Sequence, residues 1–128
     1  MPQISLRYTT NLEACFDARR LALDLHRAAV DIVGADLRSC KTRLNPILDW
    51  AIGNGTDDHA MLHVDFRILS GRPSDARKEL GRRVLELATT HLRSLPATLE
   101  VQVTVEVAEM DRDYFHKAII SGEKARAR

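Results

Sequence analysis

The chain has few cysteines and almost no net charge, which argues against several classes of protein. Its 128 residues include only two cysteines, Cys15 and Cys40, which are too few for a disulfide framework and lack the spacing of metal ligands. We interpret both as small, reduced hydrophobic residues, and no metal site is expected. Basic and acidic residues number 19 and 18, so a net charge of +1 provides no bulk field to attract nucleic acid or an anionic membrane.

Long apolar runs are also absent from the sequence. No stretch has the length and composition of a signal peptide or a membrane-spanning helix, so we expect a cytoplasmic protein without a membrane partner. Hydrophobic residues make up 45% of the chain and charged residues 29%, which is ordinary for a globular protein. The length predicts a single domain over residues 1–128.

The first eight residues have the pattern of a strand with one buried face. Ile4, Leu6 and Tyr8 are apolar and alternate with polar residues. Pro2 stands at the start of this strand, where its missing N–H costs least. If Met1 is removed, Pro2 presents a free secondary amine at the end of a sheet, which can act as a general base or a nucleophile. The alternative is that Pro2 only starts the strand.

The next segment predicts a helix and then a second strand. Thr10 and Glu13 have the form of a capping box, and apolar residues recur at helical spacing from there to Val33. Residues 37–44 predict the second strand, and Pro46 ends its capacity to pair.

The same order of elements then repeats. Residues 60–68 alternate between apolar and polar side chains and predict a third strand. Ser74 is a candidate cap for a helix over residues 76–95, and a last strand is predicted over residues 99–107. Arg72 lies on the junction between the third strand and this helix, where the following proline holds its backbone extended.

These elements predict an α+β fold with two β-α-β units, over residues 1–44 and 59–108, and a C-terminal tail over residues 111–128. Both helices should cover one face of a mixed four-stranded sheet. If a pseudo-twofold axis relates the units, their first strands are antiparallel neighbours, and Pro2 lies close to Arg72. The other face of the sheet is left bare, so we expect an oligomer.

Some polar residues have more than one interpretation. Lys41 and Arg43 are two residues apart and project from the same face of a strand, although cations on strands often only face water. His63 and Asp65 could contribute to a metal site, but two residues do not make one. His91 is interpreted as a core or rim histidine with a hydrogen-bond partner.

Several short motifs are more specific in combination than alone. They are Met1-Pro2, residues 41–46 (Lys-Thr-Arg-Leu-Asn-Pro), Trp50 with Gly55, residues 59–63 (His-Ala-Met-Leu-His), residues 70–72 (Ser-Gly-Arg) and the helical residues 85–92. With these motifs the sequence resembles the 5-carboxymethyl-2-hydroxymuconate isomerase family of the tautomerase superfamily. The resemblance extends from Pro2 to about Lys117.

The resemblance implies a cofactor-independent, metal-free enzyme that moves a proton between carbons of an unsaturated keto or enol polycarboxylic acid. It also implies a homotrimer of the double β-α-β unit. Pro2 is then the catalytic base, and Arg72 binds a substrate carboxylate or polarises the enol oxygen. Arg43 and Lys41 match a substrate-binding pair, usually Arg-x-Arg, that reaches a site across a subunit boundary. Lysine keeps the charge at the first position but loses the bidentate fork.

The chemistry of an amine base agrees with these residues. An amine must be neutral to accept a proton, and both burial and neighbouring cations disfavour its charged form. Arg72, Arg43 and Lys41 are therefore expected to lower the pKa of Pro2 and to stabilise the negative charge of a dienolate.

Three functions are compatible with the sequence. The first is an isomerase of this family in the breakdown of aromatic acids. The second is a related tautomerase, or a hydrolytic or decarboxylating relative, that acts on another keto acid. The third is a ferredoxin-like binding module, which has the same order of elements and catalyses nothing. N-terminal processing discriminates between them, because a binding module has no need for an unblocked proline.

Overall fold

The structure, a computed structural model, describes residues 1–123 of the chain. Its strands are β1 (Gln3–Thr9), β2 (Lys41–Ile47), β3 (His59–Leu69) and β4 (Glu100–Met110), and its helices are α1 (Ala18–Val33) and α2 (Ser74–His91). Short 3₁₀ turns cover Thr10–Leu12, Leu37–Ser39 and Arg112–Tyr114. Residues 124–128 of the predicted tail lie outside the described residues.

The four strands form one mixed sheet in the order β2-β1-β3-β4. β1 is parallel to β2 and β3 to β4, whereas the central pair β1 and β3 is antiparallel. Gln3 lies opposite Arg67 in the central pair, so the start of β1 is beside the end of β3. This sheet confirms the predicted architecture. The two strands of each unit pair directly with each other. In the ferredoxin-like alternative the β-α-β units are split, with another strand between the two.

Both helices pack on one face of this sheet. Leu21 and Leu25 of α1 and Leu80 and Val84 of α2 are completely buried. They form a single cluster with the apolar residues of β1 and β3, in which Phe66 is the largest fully buried side chain. Burial of each such side chain contributes about 1.5–3 kcal/mol, so the alternation along the strands determines which face carries the helices.

Helix α1 starts later than the sequence predicts. Residues Thr10–Leu12 form a 3₁₀ turn whose last side chain is buried in the core. The helix is capped instead by the Asp17 carboxylate, which accepts a hydrogen bond from the backbone N–H of Arg20 at 3.1 Å. The predicted capping box of Thr10 and Glu13 is therefore wrong, because the chain first turns to bury an apolar residue.

The second strand lies further along the chain than predicted. Residues 37–39, which were expected to be extended, form a 3₁₀ turn, and the carboxylate of Asp36 accepts a hydrogen bond from the Ser39 hydroxyl at 3.3 Å. β2 starts at Lys41 and continues through Pro46. β2 is an edge strand, where a proline is tolerated because its missing N–H need not pair with a further strand.

Helix α2 differs from the prediction at both ends. Ser74 is its first residue and not its cap, because the preceding proline is still extended, with a ψ of 155°. The helix ends at His91, and Ser94 beyond it has a φ of 56° in the left-handed region. His91 Nε2 lies 2.7 Å from a carboxylate oxygen of Asp24 on α1, which confirms its interpretation as a partnered histidine.

Polar and charged side chains occupy the sheet face opposite the helices, which we call the open face. His63 Nδ1 lies 2.6 Å from the hydroxyl of Thr104, and His63 Nε2 lies 3.0 Å from the Asp65 carboxylate. Asp65 also pairs with Arg7 at 3.2 Å. Within residues 1–123, no group of three or more His, Cys, Asp or Glu side chains could hold a metal ion. In the same part of the chain, no helix is long and apolar enough to cross a membrane.

Candidate functional site

The amino terminus lies at the start of β1, which is one of the two central strands of the sheet. Pro2 is buried, and its carbonyl accepts a hydrogen bond from the backbone N–H of Lys41 at 3.3 Å. The next residue, Gln3, lies between Lys41 of β2 and Arg67 of β3 in the two registers. Pro2 therefore sits between the start of β2 and the end of β3, as the pseudo-twofold arrangement predicted.

Arg72 approaches this end of the sheet from the junction after β3. Gly71 has a φ of 117°, a conformation that glycine adopts without strain and other residues rarely do. The Arg72 guanidinium donates from Nε to the Val33 carbonyl at 3.3 Å and from Nη1 to the Leu69 carbonyl at 3.1 Å. These two bonds tie the guanidinium to the end of α1 and the end of β3, so its charge is placed by fixed backbone.

The amino terminus lies in a positive environment. Burial lowers the pKa of the Met1 amino group from its ordinary value, and the charge of Arg72 lowers it further. Lys41 and Lys117 have the same effect, whereas Cys40 opposes them. These surroundings therefore shift the Met1 amino group towards its neutral form, the form of an amine that can accept a proton.

Lys41 lies next to the amino terminus and is held by a local contact. Its ammonium group donates a hydrogen bond to the Ser39 carbonyl at 2.7 Å, at the end of the 3₁₀ turn that precedes β2. The side chain is otherwise exposed, so its charge is available to a ligand. Of the predicted site residues, the structure thus brings Pro2, Arg72 and Lys41 to one end of the sheet.

Arg43 occupies a different position from these three residues. Its side chain lies on the open face, where Nη1 donates to the Gln3 side-chain carbonyl at 2.8 Å. It lines a depression of about 920 Å³ on that face, together with residues of β3 and β4 and the aromatic rings of Tyr114 and Phe115. Its charge is not among those that lower the pKa of the Met1 amino group, which separates Arg43 from Arg72 and Lys41 within one subunit.

Two residues at this site were missed by the sequence reasoning. Lys117 comes from the C-terminal tail, and its ammonium group lies 3.2 Å from the hydroxyl of Ser39. Neither Lys117 nor Ser39 is marked by a periodic pattern or motif, because the contact between them is tertiary. The only sequence signal was that the resemblance extends as far as Lys117.

Comparison with known proteins identifies the family of this chain. The family model described as "5-carboxymethyl-2-hydroxymuconate isomerase" matches residues 2–120, which includes Pro2, Lys41, Arg72 and Lys117. The chain belongs to this family. A curated relative from Escherichia coli, "5-carboxymethyl-2-hydroxymuconate Delta-isomerase", is 26% identical over 74 residues, or 58% of this chain. The matched stretch spans 59% of that relative's length.

Solved structures of the tautomerase superfamily have the same fold as this family member. A 5-carboxymethyl-2-hydroxymuconate isomerase from Deinococcus radiodurans R1 superposes with a TM-score of 0.82 at 21% identity, covering 99% of this chain and 94% of that one. A protein described as a fused 4-OT symmetric trimer superposes with a TM-score of 0.63 at 13% identity, covering 88% of this chain and 91% of that one. These likenesses confirm the predicted tautomerase-like fold.

Proposed function

We propose that this protein is a tautomerase that moves a proton between carbons of an unsaturated keto or enol polycarboxylic acid, similar to 5-carboxymethyl-2-hydroxymuconate. The observation that carries the proposal is the amino terminus itself. It is fixed at the end of β1, and burial and the charge of Arg72 lower the pKa of its amino group. An amine whose neutral form is favoured by burial and neighbouring cations suits proton abstraction from an anionic substrate.

In this proposal the base is the nitrogen of Pro2 after removal of Met1. While Met1 is attached, that nitrogen belongs to an amide and has no basicity. Once freed, it takes a proton from the α- or γ-carbon of the substrate and returns it to the other carbon. General-base catalysis of this kind supplies roughly 10² to 10⁴ in rate, so further stabilisation must come from the surrounding charges.

The cations supply that further stabilisation. Arg72, whose position is fixed by two backbone carbonyls, binds a substrate carboxylate or the developing enolate oxygen. Lys41 contributes a second charge beside Pro2. Arg43 lies on the open face of its own subunit, so we assign it to the substrate site of a neighbouring subunit.

The neighbouring subunit belongs to a proposed homotrimer, in which the open faces of the subunits contact one another. The relative described as a symmetric trimer has the same fold, which supports this assembly. The open face carries ionic and polar side chains such as Arg7, Asp65 and His63, so the contact is expected to be hydrogen-bonded as well as apolar. Light scattering at micromolar concentration tests this, and a stable monomer contradicts it.

A second candidate is a tautomerase-fold enzyme that acts on a different keto acid. It is favoured by one observation, which is that Lys41 provides a single ammonium where the family usually has an arginine fork. A panel of unsaturated keto acids with one, two or three carboxylates, followed by ultraviolet absorbance, separates the two candidates. The protein used must be shown by mass spectrometry to lack Met1.

We expect the highest kcat/KM on a polycarboxylate resembling 5-carboxymethyl-2-hydroxymuconate. A preference for a monocarboxylic keto acid favours the second candidate. If the processed protein isomerises no member of the panel, the proposed function is wrong.

A further inference from the structure

Lys117 is the residue of the C-terminal tail that reaches the amino terminus. Its Nζ lies 3.3 Å from the sulfur of Met1 and 3.2 Å from Oγ of Ser39. The same serine is buried and donates its hydroxyl hydrogen to the Asp36 carboxylate at 3.3 Å. Its oxygen is therefore oriented to accept from Lys117, and Asp36 sets that orientation.

Ser39 connects two cations at this end of the sheet. Its carbonyl accepts from the ammonium group of Lys41 and its hydroxyl accepts from that of Lys117. The two lysines are thus anchored on neighbouring oxygens of one buried residue, on the side of Pro2 where Met1 lies. Both ammonium groups therefore have an oxygen of the same buried residue as a partner.

The Met1 sulfur is a weak acceptor that disappears when Met1 is removed. Removal leaves the Lys117 ammonium group, which has three donors, with the Ser39 hydroxyl as its remaining contact among those described. A carboxylate is the strongest partner for such a group. The charge of Lys117 already acts on the amino terminus, since it lowers the pKa of the Met1 amino group together with Arg72 and Lys41.

We propose that Lys117 is a substrate-binding residue of this site, whose ammonium group binds a carboxylate of the polycarboxylic substrate beside Arg72 and Lys41. This inference rests on the proposed function and specifies its substrate class. A substrate with several carboxylates needs several cations, and within one subunit Arg43 faces the open side of the sheet. Lys117 supplies the third charge from the same chain.

The kinetic test compares Lys117→Met with Lys117→Arg in protein lacking Met1. Methionine keeps the length of the side chain and removes the charge, whereas arginine restores the charge. Lys78→Met, at an exposed position on α2, is the matched control. We expect Lys117→Met to raise KM for a polycarboxylic keto acid about tenfold with little change in kcat. KM for a monocarboxylic keto acid should change less than twofold, and Lys117→Arg should restore the parent value.

Two kinetic outcomes overturn the inference. One is a KM for the polycarboxylate that stays within twofold of the parent in Lys117→Met. The other is an equal loss on polycarboxylic and monocarboxylic acids, which indicates that Lys117 only docks the tail.

A binding test separates this inference from the proposed function. Calorimetry with tricarballylate, a saturated tricarboxylate that cannot be isomerised, measures Kd without turnover. Weaker binding by Lys117→Met, with parent-like binding by Lys117→Arg and Lys78→Met, supports the inference even if the protein isomerises nothing. Absence of binding by the parent protein, or equal Kd values for the parent and Lys117→Met, overturns it.

Discussion

Replacing Arg72 by alanine tests the charge at the centre of the proposed site. Its guanidinium is anchored by the carbonyls of Val33 and Leu69, at 3.3 and 3.1 Å, so it is placed before any substrate arrives. A preorganised charge of this kind stabilises negative charge as it develops, because no reorganisation is needed during the reaction. The substitution should therefore lower kcat as well as raise KM.

The size of the effect follows from the contacts that are lost. One charge-assisted hydrogen bond to substrate is worth about 1.5–3 kcal/mol, so kcat/KM should fall roughly 10- to 150-fold. The two carbonyls also lose their donors, which should lower the free energy of unfolding by about 1–3 kcal/mol. Arg72→Lys keeps the charge but loses the bidentate guanidinium, so its kcat/KM should lie between those of the parent and Arg72→Ala.

Arg112→Ala is a matched control for this experiment. Arg112 also donates to a backbone carbonyl at the same junction, from Nε and Nη2 to Ser70 at 3.3 and 3.0 Å. Its charge is not among those that lower the pKa of the Met1 amino group. We expect Arg112→Ala to lower the free energy of unfolding but to keep the kcat/KM of the parent. If Arg72→Ala, assayed by absorbance while folded, keeps kcat/KM within twofold of the parent, Arg72 does not bind the substrate.

Two further substitutions test the geometry around Arg72. Lys41→Gln should reduce kcat/KM on the polycarboxylate, because it removes the charge. Lys41→Arg should keep or increase kcat/KM, because arginine keeps the charge and can bind a carboxylate through two nitrogens. A lower kcat/KM in Lys41→Arg contradicts this expectation. Gly71→Ala should cost about 1–3 kcal/mol of unfolding free energy and lower kcat/KM, since a φ of 117° strains any side chain. The added Cβ meets only Arg112 Nη2 at 3.9 Å, so the cost comes from the backbone, and Gly122→Ala should leave both thermal unfolding and activity unchanged.

The sheet could be predicted because its signal is local and strong. The alternation of Ile4, Leu6 and Tyr8 and of residues 60–68 identifies two strands, and a pseudo-twofold axis between the β-α-β units predicts that they are antiparallel neighbours, which the structure confirms. The start of β1 then lies beside the end of β3. The proximity of Pro2 to Arg72 followed from topology, without knowledge of any side-chain contact.

The boundaries and the open-face contacts could not be predicted in this way. Thr10 and Glu13 satisfy the pattern of a capping box, but burial of Leu12 in the core competes with an early helix start and wins. Here a tertiary interaction outweighs a local capping preference of about 1 kcal/mol. Arg43 and Lys41 share one strand face, as their spacing predicts, but Arg43 donates to the Gln3 side chain whereas Lys41 turns to the Ser39 carbonyl. These side-chain contacts have no signal in the sequence.

The central claim is that the free nitrogen of Pro2 is the base, and the measurement that tests it most directly compares two forms of the same protein. One form has lost Met1 and the other retains it, as mass spectrometry establishes, and both are assayed by ultraviolet absorbance on the same unsaturated keto acid. Pro2→Ala, also processed, keeps a primary amine and should retain partial activity.

We expect the processed form to isomerise the substrate and the Met1-bearing form to show no turnover, because its Pro2 nitrogen is an amide. For the processed form, kcat/KM should rise with pH through one ionisation below the ordinary value for a terminal amine, because only the neutral amine accepts a proton. The burial and cations that lower the pKa of the Met1 amino group are expected to act in the same direction on the Pro2 amine. Equal rates for the two forms would show that the Pro2 nitrogen is not the base.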